Sequence, residues 1–307
     1  MSTGVIAGLF PGQGSHAGAL RQEVSRTVPA LLAECLELVG EDPFARAGES
    51  TRFAQPAIFC ASIAGWRRRP RSLRPGALAG HSLGELGALV AAGALSERDG
   101  LRLAVARGRL MAEACHGRHD GMLAVLGAGV EWAAALARRH ALSLANDNAP
   151  GQLVLAGPVE RLREAAAQAR AERVRAITLD VAGAFHSPAM AAAVAPFRAE
   201  LEQVALSPPS VPVISGASAR PFRDVRAELA AAITAPVRWR ETMLALAALG
   251  ARVFVDFGPG QVLAKLVGRN LPDARVLDPF AAAPEDARLA DKAQPRPAAR
   301  PEPSVVA

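Results

Sequence analysis

The most informative part of the sequence is the run GALAGHSLGELGALVAA at residues 76–92. A very short apolar strand is predicted at Gly76–Gly80, and a helix is predicted at Gly84–Ala92. Between them lies a Gly-x-Ser-x-Gly turn, whose glycines permit a sharp bend that lifts the hydroxyl of Ser82 clear of the backbone. A hydroxyl at a helix N-terminus also lies among free amides that favour an oxyanion. The run therefore predicts an α/β fold with a serine nucleophile, although a plain glycine-rich turn shares the same letters.

Apolar segments on both sides of this run extend the α/β prediction. Further strands are predicted at Val5–Phe10, Val211–Ser215 and Arg252–Phe257, the first leading into Pro11-Gly12-Gln13-Gly14. Helices are predicted at Val28–Val39, Gln55–Trp66, Glu97–Ala114, Pro188–Leu206 and Pro236–Leu249. The order predicts a large α/β-hydrolase-like body with a parallel sheet, formed by residues 1–120 and 187–280.

The middle of the chain changes character and predicts an inserted subdomain at residues 121–186. Its predicted elements alternate as strand, helix, strand, strand, helix and strand: Met122–Leu126, Glu131–His140, Leu142–Ala145, Leu153–Ala156, Val159–Ala171 and Arg175–Val181. This βαββαβ order is typical of a small ferredoxin-like unit. Residues 281–307 are rich in Pro, Ala and charge, which predicts a disordered tail.

Composition excludes several classes of protein. With 307 residues, half of them hydrophobic, the chain can bury a sizeable core. No stretch of about 18 apolar residues occurs, and Met1–Phe10 lacks the features of a signal peptide, so neither a membrane span nor secretion is expected. Three widely spaced cysteines favour a reducing cytoplasm and offer no metal spacing.

The positive charge of the chain comes almost entirely from arginine, and it limits the possible partners. The net charge is +6, and an arginine-rich surface suits phosphates, carboxylates or an acidic protein. Aromatic residues make up only 4% of the chain and tyrosine is absent, so nucleic acid is not expected. The basic loop at 67–74 would steer an acidic carrier or hold a CoA phosphate, or it would be a plain solvated loop.

A serine hydroxyl needs a base, and six histidines are available. His81 adjoins Ser82, but neighbouring side chains diverge at such a turn, which favours a structural role. His186 lies in a loop between a predicted strand and a predicted helix, where rigid elements would position a base. The residues alone favour His186 and leave the other histidines open.

Seven motifs carry a resemblance to a known family. They occur in this order: Phe10-Pro11-Gly12-Gln13-Gly14-Ser15, Gly80-His81-Ser82-Leu83-Gly84-Glu85, Arg107-Gly108 before Met111, Asn148-Ala149-Pro150-Gly151-Gln152, Gly183-Ala184-Phe185-His186-Ser187, Pro236-Val237-Arg238-Trp239 and Gly258-Pro259-Gly260. Together they resemble the malonyl-CoA:acyl carrier protein transacylases, which include the fatty-acid-synthesis enzyme and the acyltransferases of polyketide synthases. The resemblance spans roughly residues 5–270.

The resemblance implies a ping-pong transfer by an [acyl-carrier-protein] S-malonyltransferase. Ser82 would attack malonyl-CoA, with His186 as general base, and an acidic, phosphopantetheinylated acyl carrier protein would take the malonyl group. The amides of Gln13 and Leu83 would form the oxyanion hole. The family match also implies that Arg107 pairs with the free carboxylate of malonate. A monomer is expected, with no cofactor, no metal and no membrane or nucleic-acid partner.

Three further positions are assigned to the substrate pocket. Gln55 and Asn148 match family positions, although a turn-forming role is equally open for Asn148. Phe185 precedes the histidine as in malonyl-type acyltransferases, so a preference for malonyl over methylmalonyl is expected.

Two departures from the family pattern concern packing and the orientation of the base. Leu86 stands where the family usually has an aromatic residue. Ala232 stands where some members carry a glutamine whose main-chain carbonyl orients the histidine. No carboxylate is assigned as a third member of the triad, and a backbone acceptor would fix the tautomer of the histidine as well.

The alternatives are a serine hydrolase, a non-enzymatic scaffold and the transacylase subunit of malonate decarboxylase. A hydrolase of the α/β type needs an acid between serine and histidine in chain order and an HGGG-like segment. The ferredoxin-like insertion and the segment at 10–14 argue against it. The decarboxylase subunit would share the malonyl chemistry.

Overall fold

The computed structural model describes residues 5–13, 20–258, 260 and 262–277. The predicted tail, 281–307, lies outside the described residues. The strands are β1 (Val5–Phe10), β2 (Ala77–Gly80), β3 (Asp120–Leu126), β4 (Ser143–Ala149), β5 (Gln152–Pro158), β6 (Arg175–Thr178), β7 (Val213–Ile214), β8 (Ala251–Asp256) and β9 (Arg275–Leu277).

Eleven α-helices are described, and most of them connect or flank the strands. They are α1 (Arg21–Thr27), α2 (Pro29–Val39), α3 (Thr51–Arg68), α4 (Gly84–Ala91), α5 (Glu97–Glu113), α6 (Val130–Arg139), α7 (Val159–Ala171), α8 (Ala191–Glu202), α9 (Val225–Ala231), α10 (Trp239–Ala248) and α11 (Val262–Asn270). Among the described residues, no helix is both long and apolar enough to cross a bilayer.

The body is built on a five-stranded parallel sheet in the order β7-β2-β1-β8-β9. Strands β1 and β2 lie near its centre and are buried along most of their length, which explains their continuous apolar runs. Because all five strands run in the same direction, their carboxyl ends lie at one edge of the sheet, and the loops after β1 and β2 meet there. The predicted parallel α/β body is confirmed.

A second sheet is antiparallel, in the order β4-β5-β3-β6. Helices α6 and α7 connect its strands, so the βαββαβ order predicted from the sequence is confirmed. The segment before α10 joins this sheet to the body. The amide of Val237 donates to the carbonyl of Ala145 at 2.8 Å, and the amide of Asp147 donates to the carbonyl of Val237 at 2.9 Å. The Arg240 guanidinium also donates to the carboxylate of Asp147 at 2.9 Å.

Several predicted boundaries are wrong for local reasons. Helix α3 begins at Thr51 and not near Pro56, because the hydroxyl of Ser50 caps it by accepting from the amide of Arg52 at 3.2 Å. The helix predicted from Pro188 starts as a 3₁₀ turn, and α8 itself begins at Ala191. The sequence prediction also omitted α1, α9, α11 and β9.

Helices α3 and α5 pack closely beside the sheet at Gly108. A Cβ at that position would lie 2.6 Å from the carbonyl oxygen of Thr51 and 3.2 Å from the Cβ of Gln55. Only glycine permits this approach, which brings side chains of the first two turns of α3 against the middle of α5.

Candidate active site

The turn after β2 holds Ser82 in a strained conformation. Ser82 has a φ of +53°, a region that L-residues with side chains rarely adopt. A Cβ at Gly80 would overlap the backbone of Gly84 and Glu85, and a Cβ at Gly84 would overlap the carbonyl of Phe10. Both glycines of the motif are therefore required by the backbone, which confirms the predicted sharp strand-to-helix turn.

His186 lies directly against this serine. The Nε2 atom of His186 is 2.7 Å from the Oγ of Ser82, and His186 also has a positive φ, of +56°. On the other side of the ring, Nδ1 lies 3.0 Å from the carbonyl oxygen of Ala232 and 3.1 Å from that of Ala235. Two acceptors require the ring proton on Nδ1, which leaves Nε2 free to accept from the hydroxyl.

The pKa of His186 is lowered to about 3, first by burial and then by the nearby charge of Arg107. Its side chain is buried, and a buried imidazolium beside a guanidinium is costly. The imidazole is therefore neutral at physiological pH, as a proton acceptor must be.

Arg107 lies in the middle of α5 and is buried. Its Nη1 donates to the Oε1 of Gln55 at 2.9 Å, and its Nη2 donates to the Oγ of Ser82 at 3.1 Å. Burial lowers the pKa of Arg107 to about 10, and the carboxylate of Glu85 acts in the opposite direction. The guanidinium remains protonated at neutral pH, so a cation faces the serine hydroxyl.

These side chains share one cleft of about 280 Å³, including its open mouth. Its lining residues are Gln13, Gln55, Ser82, Leu83, Arg107, Met111, Phe185 and His186. Met111 was not predicted as a site residue. It follows Arg107 by four positions on α5, and this i,i+4 spacing places both side chains on one face of the helix.

The backbone amides of Gln13 and Leu83 lie at the edge where β1 and β2 end. Gln13 follows β1, and Leu83 immediately precedes α4. Within the described part of the chain, neither amide donates a backbone hydrogen bond. Both residues line the cleft that contains Ser82.

Asn148 does not belong to the residues that line this cleft. Its Oδ1 lies 2.8 Å from the Nε2 of His81, whose ring packs against Trp239 with 5.3 Å between the ring centroids. Burial lowers the pKa of His81 to about 4. Asn148 therefore contacts a histidine behind the turn, and the contacts of His81 are those of a structural residue.

Glu85 is a buried carboxyl group for which the sequence suggested no role. Its Oε1 accepts from the amide of Gly216 at 2.7 Å, and burial raises its pKa to about 7. This bond joins α4 to the loop after β7. The only signal in the sequence is an acidic residue within an otherwise apolar helix.

The basic loop at 67–74 lies far from the cleft along the sheet. It precedes β2, whereas Ser82 follows β2, so the loop and the serine lie at opposite ends of the strand. Arg67 forms an ion pair with Glu97 at 2.5 Å, Arg68 pairs with Glu23, and the Arg69 guanidinium stacks 3.3 Å from the ring centroid of Trp66. Arg67 and Arg68 are the last two residues of α3, so the predicted loop begins only at Arg69, and these contacts favour the interpretation as a solvated, ion-paired segment.

No group of three or more His, Cys, Asp or Glu side chains suited to a metal occurs among the described residues. The chemistry available in the cleft is that of a hydroxyl, a neutral imidazole, a guanidinium and backbone amides.

Comparisons with known proteins show which family this chain resembles. The acyl transferase domain family matches residues 34–295. The malonyl CoA-acyl carrier protein transacylase of Bacillus subtilis is 36% identical over 298 residues, covering 89% of this chain and 94% of that protein. The polyketide biosynthesis protein ThaF of Burkholderia thailandensis is 37% identical, and the match covers 94% of this chain but only 26% of ThaF.

Solved structures of similar proteins have the same fold. The malonyl CoA-acyl carrier protein transacylase of Burkholderia pseudomallei has a TM-score of 0.82 at 34% identity, covering 89% of this chain and 99% of that chain. A malonyl-transacylase solved in complex with a type II polyketide synthase acyl-carrier protein has a TM-score of 0.80 at 30% identity, covering 89% and 95%. A match across most of the chain, together with this cleft, places the protein in the acyl transferase domain family.

Proposed function

We propose that this protein transfers a malonyl group from malonyl-CoA to the phosphopantetheine thiol of an acyl carrier protein. One observation carries the proposal: the Oγ of Ser82 lies 2.7 Å from the Nε2 of His186 and 3.1 Å from the Nη2 of Arg107. A nucleophile, its base and a cation for a carboxylate therefore meet at one atom. The names of the relatives support the same reaction.

The first half-reaction acylates the serine. His186 accepts the hydroxyl proton as the Oγ of Ser82 attacks the thioester carbonyl, and the carbonyl oxygen becomes an oxyanion. The amides of Gln13 and Leu83 donate to that oxyanion. Collapse breaks the C–S bond, and the imidazolium returns its proton to the departing CoA thiolate.

The second half-reaction runs the same steps in reverse with a different thiol. His186 takes the proton of the phosphopantetheine thiol, whose sulfur attacks the malonyl ester. The C–O bond breaks, and the proton returns to the Oγ of Ser82. The balance needs no cofactor, since one thioester replaces another.

Arg107 supports selection for an acyl group with a free carboxylate. A planar guanidinium pairs with a carboxylate through parallel hydrogen bonds, and burial strengthens the attraction. Gln55 occupies the Nη1 side of the guanidinium, and the Nη2 side is turned toward the serine, to which the acyl group would be attached.

The hydrolase and decarboxylase alternatives are less well supported. His186 is oriented by two main-chain carbonyls and not by the acid that an α/β-hydrolase triad requires. Relatives of this chain are named as malonyl CoA-acyl carrier protein transacylases, some of them of polyketide biosynthesis, and these names favour transfer to a carrier protein over a role in a decarboxylase.

Intact-mass spectrometry after mixing with malonyl-CoA tests the proposal. A malonyl adduct that peptide mapping locates on Ser82, and that disappears on addition of a phosphopantetheinylated carrier protein, is the expected result. Ser82→Ala is the matched control and should stay unmodified. Rapid release of free malonate without transfer would indicate a hydrolase instead.

A further inference from the structure

Thr51 lies behind the cleft, and it is connected to the cleft by a chain of buried side chains. Its hydroxyl accepts a hydrogen bond from the Nε2 of Gln55 at 2.6 Å, and Thr51 itself is buried. Gln55 in turn accepts from Arg107 at 2.9 Å. The chain of contacts runs from a residue outside the cleft lining to the cation that faces the serine.

Only one orientation of the Gln55 side-chain amide satisfies the hydrogen-bonding groups around it. Its oxygen must face Arg107, because a guanidinium has donors alone and an amide nitrogen there would also present donors. The amide nitrogen must then find acceptors on its other side. Thr51 supplies a hydroxyl oxygen at 2.6 Å, and the Sδ of Met111 at 3.4 Å is a weak acceptor.

The packing of α3 against α5 leaves the amide of Gln55 little freedom. Gln55 is buried, and the close approach at Gly108 holds Thr51 and Gln55 against the helix that carries Arg107. A donor without a partner in such a place carries the full cost of desolvation. Without the Thr51 hydroxyl, the amide nitrogen would keep only the weak acceptor of Met111. Gln55 would then be held less firmly in the orientation that accepts from the Nη1 of Arg107.

We propose that Thr51 is a positioning residue for acyl selectivity: its hydroxyl orients Gln55, and Gln55 holds Arg107 for the carboxylate of the acyl donor. This inference rests on the proposed malonyl transfer. Thr51 contacts neither the serine nor the histidine, so its effect belongs to the binding of the carboxylate and not to the attack on the carbonyl.

The test compares Thr51→Val with Thr51→Ser in the acylation of Ser82 by malonyl-CoA and by acetyl-CoA, followed by intact mass. Thr51→Val should raise KM for malonyl-CoA about 10-fold, the effect of one lost hydrogen bond, with kcat changed less than about 2-fold. Acetyl-CoA should be affected less than about 2-fold, since it has no carboxylate. Thr51→Ser keeps the hydroxyl and should behave as the wild type within about 2-fold.

The double variant of Thr51 and Gln55 tests whether Thr51 acts through Gln55. In Gln55→Ala, adding Thr51→Val should leave the malonyl-to-acetyl ratio unchanged, because the intermediary is already gone. A further fall in the ratio there would overturn the inference. Thermal unfolding of every variant checks the fold, and Thr51→Ala replaces Thr51→Val if the valine variant is not folded.

Other outcomes separate this inference from the proposed function. An equal loss with both acyl donors, an unchanged KM for malonyl-CoA, or a Thr51→Ser variant as poor as Thr51→Val would each overturn the role of Thr51. Absence of any malonyl adduct on the wild-type protein would instead overturn the proposed function.

Discussion

The two sides of the cleft are held in place by different means. On one side, Ser82 and His186 both adopt positive φ, and main-chain groups fix them: the crowded turn at Gly80 and Gly84, and the carbonyls of Ala232 and Ala235. On the other side, Arg107 lies on a regular helix, and side chains hold it through Gln55 and Thr51.

This difference indicates which part of the site single substitutions can adjust. Apart from the glycines required at positions 80 and 84, a main-chain scaffold changes little with the identity of nearby side chains, so the positions of Ser82 and His186 follow from the fold. A network of side chains changes with single substitutions. We therefore expect the bond-breaking chemistry to be set by the backbone, and the choice of acyl group to be set by side chains around Arg107.

The largest effect should come from removing the base on the main-chain side. His186→Asn lacks a base, and asparagine tolerates the positive φ that His186 adopts. We expect the rate of acylation by malonyl-CoA to fall by about 10³-fold, measured by rapid quench and intact mass. His81→Asn is the comparison variant, and its acylation rate should fall far less. Similar losses in the two variants would contradict the assignment of the base.

The second-largest effect on acylation should come from the side of the cleft where side chains hold Arg107. Arg107→Ala should lower acylation by malonyl-CoA about 10- to 150-fold, the value of a charged hydrogen bond, while acetyl-CoA is tolerated better. Arg109→Ala changes an exposed arginine on the same helix and should leave both substrates unaffected. Equal falls for malonyl and acetyl in Arg107→Ala would mean that the arginine serves the chemistry and not selection.

A smaller effect should distinguish the acyl groups themselves. Phe185 is buried and lines the cleft beside His186, so it should crowd an α-methyl branch. We expect malonyl-CoA to acylate the protein about 10-fold faster than methylmalonyl-CoA, a difference typical of one extra carbon in a tight pocket. Phe185→Leu should narrow the gap. Comparable rates for the two donors in the wild type would refute the preference.

The smallest effect is expected from pH. The pKa of His186 is lowered to about 3 by burial and by Arg107, so the base stays neutral until the pH falls through that value. Acylation rates should therefore change less than about 2-fold between about pH 5.5 and about pH 8. A fall with an apparent pKa near the ordinary histidine value would contradict this. An inflection near pH 7 that Glu85→Gln removes would belong to Glu85, whose pKa burial raises to about 7.

Features with local causes could be predicted from the sequence. The turn at Ser82 follows from its flanking glycines, and the buried strands β1 and β2 follow from short apolar runs bounded by turn residues. Helix α7 begins and ends where its periodicity predicts, at Val159–Ala171. The short helices α1 and α9 were missed because segments of seven residues carry too few turns to show a period.

Features that join distant segments could not be predicted in this way. The bond between Arg107 and Gln55 links residues 52 positions apart, and it depends on the approach of α3 to α5 at Gly108. Asn148 was placed in the pocket by its motif, but the packing of β4 turns it toward His81. The functional roles of Ser82, His186, Arg107, Gln55, Gln13, Leu83 and Phe185 stay predictions that the experiments above test.

The carbonyl acceptors of His186 also affect how this site changes by mutation. No codon change at position 232 or 235 deletes a peptide oxygen, so substitution there leaves the hydrogen-bonding group intact as long as the loop keeps its path. A change of side chain at these positions therefore leaves the hydrogen-bond acceptors of the imidazole unchanged. This accounts for an alanine at position 232, where some family members carry glutamine. A search for triads of side chains would overlook sites in which main-chain carbonyls orient the histidine. A search for the backbone conformation would find them.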